Sequence, residues 1–182
     1  MLQGELVENR IVVWEIEQAR NLFKDGFYGK PLGIPKPKDA DFTAPLILDL
    51  IEGYYLVKKK SLKVRSCENG SRVSLIQIQK ICHKEYVDFE HKYRVYKKLR
   101  DSGLVVSPGI KFGCDFAVYL HGPGIDHAPY LVQVLRPSDK ITATSVVLAG
   151  RLATTVKKQF IVAVTDSDST QVDFVSFDWW RA

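Results

Sequence analysis

The stretch Gly109-Ile-Lys-Phe-Gly-Cys-Asp-Phe-Ala-Val-Tyr119, with Gly122-Pro-Gly-Ile-Asp-His127 close behind it, concentrates glycine, aromatic and titratable side chains. Alternation along a strand over 115–120 puts Asp115, Ala117 and Tyr119 on one face and Phe116 and Val118 on the other. An apolar core would take the Phe/Val face and leave the tyrosine at the opposite surface. His127 follows in a glycine-rich loop. A third element, Val146-Val-Leu-Ala-Gly-Arg-Leu-Ala-Thr-Thr-Val-Lys-Lys158, reads as helix, with Leu148, Leu152 and Val156 as its core stripe. Arg151 and Lys158 would share another stripe roughly 10 Å apart along the axis, a spacing that suits neighbouring nucleotides better than one phosphate. The chemistry on offer is proton transfer and anion holding. Histidine, with an ordinary pKa of about 6.5, exchanges protons near neutrality, and lysine, at about 10.4, stays charged. Tyrosine, at about 10, is a poor base unless a neighbouring cation lowers its pKa.

Strands and helices must hold these groups. Glu5-Leu-Val and Arg10-Ile-Val-Val-Trp14 read as short strands around an Asn9 turn, with a helix from Glu15 to Lys24. Gly29-Lys-Pro-Leu-Gly-Ile-Pro-Lys-Pro-Lys-Asp39 can sustain neither helix nor central strand and reads as an exposed loop. A second helix is expected from Pro45 through Leu46-Ile-Leu-Asp-Leu-Ile toward Lys58, and a hairpin from Leu62–Arg65 and Arg72–Ser74 around Glu68-Asn-Gly-Ser71. Residues from Ser74 alternate like a strand and then continue as helix; helix is preferred. Tyr86, Phe89, Tyr93, Tyr96 and Leu99 mark an amphipathic helix from Tyr86 to Arg100, ended by Gly103. Strands follow at 104–107, 115–120 and 130–136, then the helix at about 142–158, then strands at 160–165 and 172–177. The reading is a small N-terminal α+β domain over 1–83, with its Pro/Lys loop at 30–43, and a C-terminal mixed-sheet α/β domain over 84–182.

The chain has 182 residues, 46% hydrophobic and 26% charged, which suits globular structure and excludes disorder. No apolar run reaches the roughly 18 residues of a membrane span, and the opening residues lack a signal-peptide pattern. Cys67, Cys82 and Cys114 make an odd set without C-x-x-C spacing, so the expectation is a soluble, cytoplasmic protein in a reducing compartment. Net charge is +5, of which residues 1–90 carry +1 (14 Lys and Arg against 13 Asp and Glu) and residues 91–182 carry +4 (12 against 8). That excess suits a polyanionic partner. No glutamate follows Glu90.

The run G-x-K-F-G-x-D-F-x-x-Y, the downstream histidine and R-x-A-x-x-V-x-K resemble the catalytic domain of the archaeal tRNA-intron splicing endonucleases, most strongly from about Tyr93 to Thr165. The likeness extends over the N-terminal unit through Phe27-Tyr-Gly29 and Leu46-Ile-Leu-Asp-Leu-Ile-Glu52. It implies a restriction-endonuclease-like C-terminal domain. It also implies cleavage of precursor tRNA at bulge-helix-bulge junctions, with attack of a 2′-hydroxyl on the adjacent phosphorus giving a 2′,3′-cyclic phosphate and a 5′-hydroxyl. Matched residue by residue, the catalytic tyrosine, histidine and lysine fall on Tyr119, His127 and Lys158, as proton acceptor, proton donor and charge stabiliser. Neither metal nor cofactor is implied. Arg151 matches the arginine that grips a bulged base, with Trp179 or the adjacent Trp180 as stacking partner; the two tryptophans could instead bury a terminal strand. Lys111 and Asp115 could hold the turn, contact RNA or form an ion pair.

Family members act as dimers of catalytic units, and this length carries one unit. The likeness implies pairing through the C-terminal strand, with Asp166 and Asp168 of Val164-Thr-Asp-Ser-Asp-Ser169 docking into a neighbouring subunit. The 30–43 loop resembles an insertion of crenarchaeal catalytic subunits, which points to Lys36 and Lys38 as RNA contacts and to a second, non-catalytic subunit in an α2β2 heterotetramer. Two other readings compete. A magnesium nuclease needs an Asp followed by Glu-x-Lys on the next strand, which the glutamate-free second half does not supply. A non-catalytic RNA-binding or structural subunit of the same kind of complex would tend to lose the triad.

Overall fold

The computed structural model describes residues 2–35, 37, 39–166 and 171–177. The chain divides into two compact units, Met1–Phe89 and Glu90–Ala182, each built on one mixed sheet.

The first unit runs β1 (Leu2–Val7), β2 (Arg10–Val13), α1 (Ile16–Gly26), β3 (Lys30–Pro31), β4 (Leu46–Leu48), α2 (Leu50–Lys58), β5 (Leu62–Ser66), β6 (Arg72–Val73) and α3 (Leu75–Glu85). Its sheet has the order β3-β4-β2-β1-β5-β6, with β1 and β5 parallel and the other pairs antiparallel. Alternation sorts the side chains cleanly: Leu62, Val64 and Val73 are buried, whereas Lys63, Arg65 and Arg72 face solvent. Helix α2 lies close on the apolar side, since a Cβ on Gly53 would meet Ile11 Cδ1 at 2.2 Å.

The helix expected from Pro45 begins later. Leu46–Leu48 is β4, paired with β2, and Asp49 caps α2 in a reciprocal box, its carboxylate accepting from Ile51 N at 3.2 Å while Glu52 accepts from Asp49 N at 2.9 Å. An uninterrupted apolar run does not itself separate strand from buried helix, and the D-x-x-E signal at 49–52 does. Within the Pro-rich loop, Lys30–Pro31 edges the sheet, a place where proline's missing donor costs nothing. The first unit also extends past residue 83, because Phe89 is buried in it, its ring edge-on to Tyr54 at 5.3 Å and to His83 at 5.2 Å. Tyr86 therefore ends α3, donating its N–H to Cys82 O, and Asp88 at φ 55° makes the turn before the next helix.

The second unit takes in most of α4 (Phe89–Asp101), then β7 (Val105–Pro108), a 3₁₀ turn (Ile110–Phe112), β8 (Phe116–Tyr119), β9 (Tyr130–Leu135), α5 (Ala143–Thr155), β10 (Gln159–Thr165) and β11 (Val172–Phe177). The sheet order is β11-β10-β9-β8-β7, with β9 and β10 parallel. Helix α4 meets the Phe116 side: the Tyr96 ring lies 5.9 Å from that of Phe116, and Arg100 donates to Val106 O at 3.1 Å. The other side is covered as well. Ala117, Ala128, Leu131, Ala153, Phe160 and Val162 form one buried cluster, with Phe112, Tyr119 and Val156 packed against it. Tyr119 is thus half-buried under α5 rather than left at a bare surface.

Helix α5 corrects a second expectation. Its core stripe is Ala149, Ala153 and Val156, while Leu148 is 61% exposed and Leu152 44%. Small residues face the sheet because the aromatic rings of Phe112, Tyr119 and Phe160 already fill that space.

Candidate active site

The G-x-K-F-G-x-D-F run is a tight turn that delivers β8. A Cβ on Gly109 would lie 2.8 Å from Cys114 O and 2.9 Å from Phe116 C, backbone atoms that cannot yield, and Gly113 takes φ +67°. Asp115 anchors the turn: its carboxylate accepts from Lys92 Nζ at 2.8 Å, Gln133 Nε2 at 2.7 Å and Val134 N at 2.8 Å. Of the roles open to it, the structure assigns Asp115 the ion pair, with Lys92. Burial, reinforced by Asp115, pushes the neighbouring Cys114 thiol up to about 11, which removes it as a nucleophile near neutrality. Lys111 lies in the 3₁₀ turn.

Past Tyr119 the chain makes the loop that carries His127, and one side chain knits it. Asp126 accepts from Leu120 N at 3.1 Å, His121 N at 3.2 Å and Gly122 N at 2.8 Å. Burial opposes the charge of this carboxylate, but the three N–H bonds outweigh it and hold its pKa below the ordinary aspartate value. His127 is exposed on this braced loop, and the next residue, Ala128, is buried in the cluster.

Lys158 arrives from the far side. Helix α5 stops at Thr155, short of the expected 158, so Arg151 and Lys158 do not share a helical stripe. Lys157 takes φ 55°, with Lys157 N donating to Thr154 O and Lys158 N to Ala153 O, the paired bonds of a Schellman turn with lysine in glycine's usual place. A non-glycine residue there is strained, and the turn aims Lys158 inward. Its ammonium donates to Ala128 O at 2.5 Å and lies 5.4 Å from the centre of the Phe112 ring. Burial lowers the pKa of that ammonium, and Asp126 pulls it back up.

Two of the three groups meet at one place: Tyr119 ends β8 and packs on the cluster containing Ala128, and Lys158 bonds the carbonyl of Ala128, the residue that follows the exposed His127. Asp126 acts electrostatically on both Tyr119 and Lys158. The sequence reading misses Asp126 and Phe112; for Asp126 the one signal in sequence is an acidic residue directly before the loop histidine. Arg151 is exposed on α5. Asp166 is exposed at the end of β10, while Asp168, Lys36, Lys38, Trp179 and Trp180 lie outside the described residues.

The phenol of Tyr119 is held above the ordinary tyrosine range, first by burial and then by the Asp126 carboxylate. No lysine offsets these effects, so the free protein keeps this phenol protonated at neutral pH. The difference in alkaline tyrosinate absorbance between wild type and Tyr119→Phe is therefore expected to have its midpoint above about 10. A midpoint below that value would show a cation at work on the phenol.

The family model described as "tRNA intron endonuclease, N-terminal domain" matches residues 2–78, and "tRNA intron endonuclease, catalytic C-terminal domain" matches residues 89–174. Proteins named tRNA-splicing endonuclease resemble the chain along nearly its whole length. The one from Hyperthermus butylicus is 44% identical and that from Sulfurisphaera tokodaii 42%, each over 179 residues covering 98% of both chains. That from Saccharolobus solfataricus is 38% identical over 180 residues, again 98% of both.

Proposed function

The chain belongs to the tRNA intron endonuclease family, and we propose that it cuts precursor tRNA at bulge-helix-bulge junctions without a metal ion. The observation that carries this reading is that Tyr119 and Lys158 both lie in the field of Asp126, the residue directly before His127. In the proposed reaction the ribose 2′-oxygen bonds to the adjacent phosphorus and the bond from phosphorus to the 5′-oxygen breaks. The products are a 2′,3′-cyclic phosphate and a 5′-hydroxyl.

Tyr119 takes the 2′ proton and His127 gives one to the departing 5′-oxygen. Lys158 faces the charge that builds on the phosphorane, with two of its three donors free of the Ala128 bond. Only a phenolate accepts a proton, so the reaction draws on the deprotonated fraction of Tyr119. Lys158 is the cation that shares the field of Asp126 with it.

The same reading gives Arg151 a bulged base to grip, with Trp179 as its stacking partner and Lys36 and Lys38 as further RNA contacts. One catalytic unit per chain requires assembly for a substrate with two bulges. We place the contact between catalytic units at β11, an edge strand whose Phe174 and Val175 are 42% and 46% exposed. Asp166 and Asp168 then dock into a neighbouring subunit, and a second, non-catalytic chain completes an α2β2 heterotetramer. The proposed compartment is the cytoplasm. No helix among the described residues is long and apolar enough to cross a membrane.

Cleavage of a bulge-helix-bulge RNA by the purified assembly is expected to persist in excess EDTA and to leave a cyclic phosphate on the upstream fragment. Complete loss restored by magnesium would overturn the metal-free mechanism. Failure of the assembly to cut with the triad intact would favour the purely structural subunit.

A further inference from the structure

The first unit carries cations that its own fold does not use. On β5, Lys63 and Arg65 are two residues apart and exposed on the same side, opposite the buried Leu62 and Val64. Arg65 stands directly across from Arg72 of the edge strand β6, also exposed. Like charges in cross-strand register destabilise a sheet pair, so this placement costs stability where a neutral residue would not. Among the described residues no carboxylate forms an ion pair with Lys63, Arg65 or Arg72. The carboxylate in register with Arg65 belongs to Glu5 of β1, and it is engaged elsewhere, accepting from Trp14 Nε1 at 2.6 Å. That bond fixes Trp14 on the same side of the sheet while 52% of its surface remains exposed. One sheet face therefore presents three unpaired cations and a fixed, half-exposed indole, a combination that fits a nucleic-acid strand through its phosphates and the face of a base.

We propose that the solvent face of the N-terminal sheet, formed by Trp14, Lys63, Arg65 and Arg72, binds the phosphate backbone of the precursor RNA outside the cleavage junctions, with Trp14 stacking on an unpaired base. The proposal rests on the RNA-cleaving reading above. It adds an RNA contact on the first unit, distinct from the residues assigned to cleavage. Charge complementarity identifies the occupant: a polyanion releases counterions on binding, and three phosphate contacts make affinity depend on salt by roughly three additional powers.

The test compares the wild-type chain with the variant Lys63→Ala, Arg65→Ala, Arg72→Ala on two RNAs, an intact precursor tRNA and a minimal bulge-helix-bulge duplex. The variant is expected to lose about tenfold or more in affinity for the precursor, with the slope of log affinity against log salt shallower by roughly 2 to 3, and to bind the minimal RNA as wild type does. Trp14→Ala should weaken precursor binding without changing that slope. If the triple variant folds poorly, each single substitution should reduce the slope by about one. Unchanged precursor affinity overturns the proposal, as does equal weakening on both RNAs. Loss of a protein partner with RNA binding intact would overturn it in favour of a subunit contact. Failure of the RNA-cleaving reading looks different: the wild-type assembly then cuts neither RNA, whatever the variant does to binding.

Discussion

Replacing His127 with alanine is expected to slow cleavage of a bulge-helix-bulge RNA by roughly 10²- to 10⁴-fold, the range of one general acid, while RNA affinity stays near that of wild type. The separation of these effects follows from where the residue stands. His127 is exposed, and its loop is braced by the Asp126 carboxylate through three backbone N–H groups rather than by the imidazole. Removing the ring opens no cavity, so stability should move by no more than about 0.5 kcal/mol. Single-turnover cleavage, RNA binding and thermal melting measured together decide the matter. Cutting within a few-fold of wild type would refute the role as proton donor. A matched fall in affinity and melting temperature would make the residue structural.

The fold was legible wherever local chemistry and tertiary packing agree. Strand and helix order in the second unit follows from alternation and turn residues, and Gly109 and Gly113 stand where a close approach and a positive φ demand glycine. Legibility failed where packing overrides pattern. Leu46–Leu48 reads as the start of a helix because three consecutive apolar residues show no alternation in sequence, although burial does alternate along the strand, with Leu46 and Leu48 buried and Ile47 only partly so. Leu148 and Leu152 make the obvious core stripe of α5, yet alanines face the sheet, because the aromatic rings beneath leave room only for small side chains. The leucines left outside stand on the same unit as the exposed Phe174 and Val175 of β11, apolar surface that an assembly would cover.

The candidate site shows the same division. Only the motif resemblance links Tyr119, His127 and Lys158, since no periodicity connects a strand end, a loop and a helix terminus. What sequence could not supply was the means of bringing them together. The Schellman turn at Lys157 lacks the glycine that would announce it, so the helical pattern reads on through Lys158 although α5 ends at Thr155. Asp126 is not legible either, because its work is to bind backbone N–H groups, which no residue pattern displays.

Lys158→Met should lower cleavage by about 10²- to 10³-fold, the cost of removing one preorganised charge from a developing oxyanion. Methionine keeps the apolar stem and a sulfur contact with the Phe112 ring, so packing changes little. The Ala128 carbonyl does lose its donor, in a residue only 3% exposed, and an unsatisfied buried acceptor costs about 1–3 kcal/mol. A modest fall in melting temperature is therefore built into the prediction, and a second variant must separate it from the chemistry. Lys158→Arg retains the charge and can still donate to Ala128, but its planar guanidinium cannot reproduce the compact ammonium beside the ring. Its melting temperature should return close to that of wild type, and its rate should fall between those of methionine and lysine. If arginine restores stability while leaving the rate at the methionine level, the position requires an ammonium and not merely a cation. If Lys158→Met cuts within tenfold of wild type, Lys158 is a structural tether for Ala128, and the cation that stabilises the phosphorane must come from another residue.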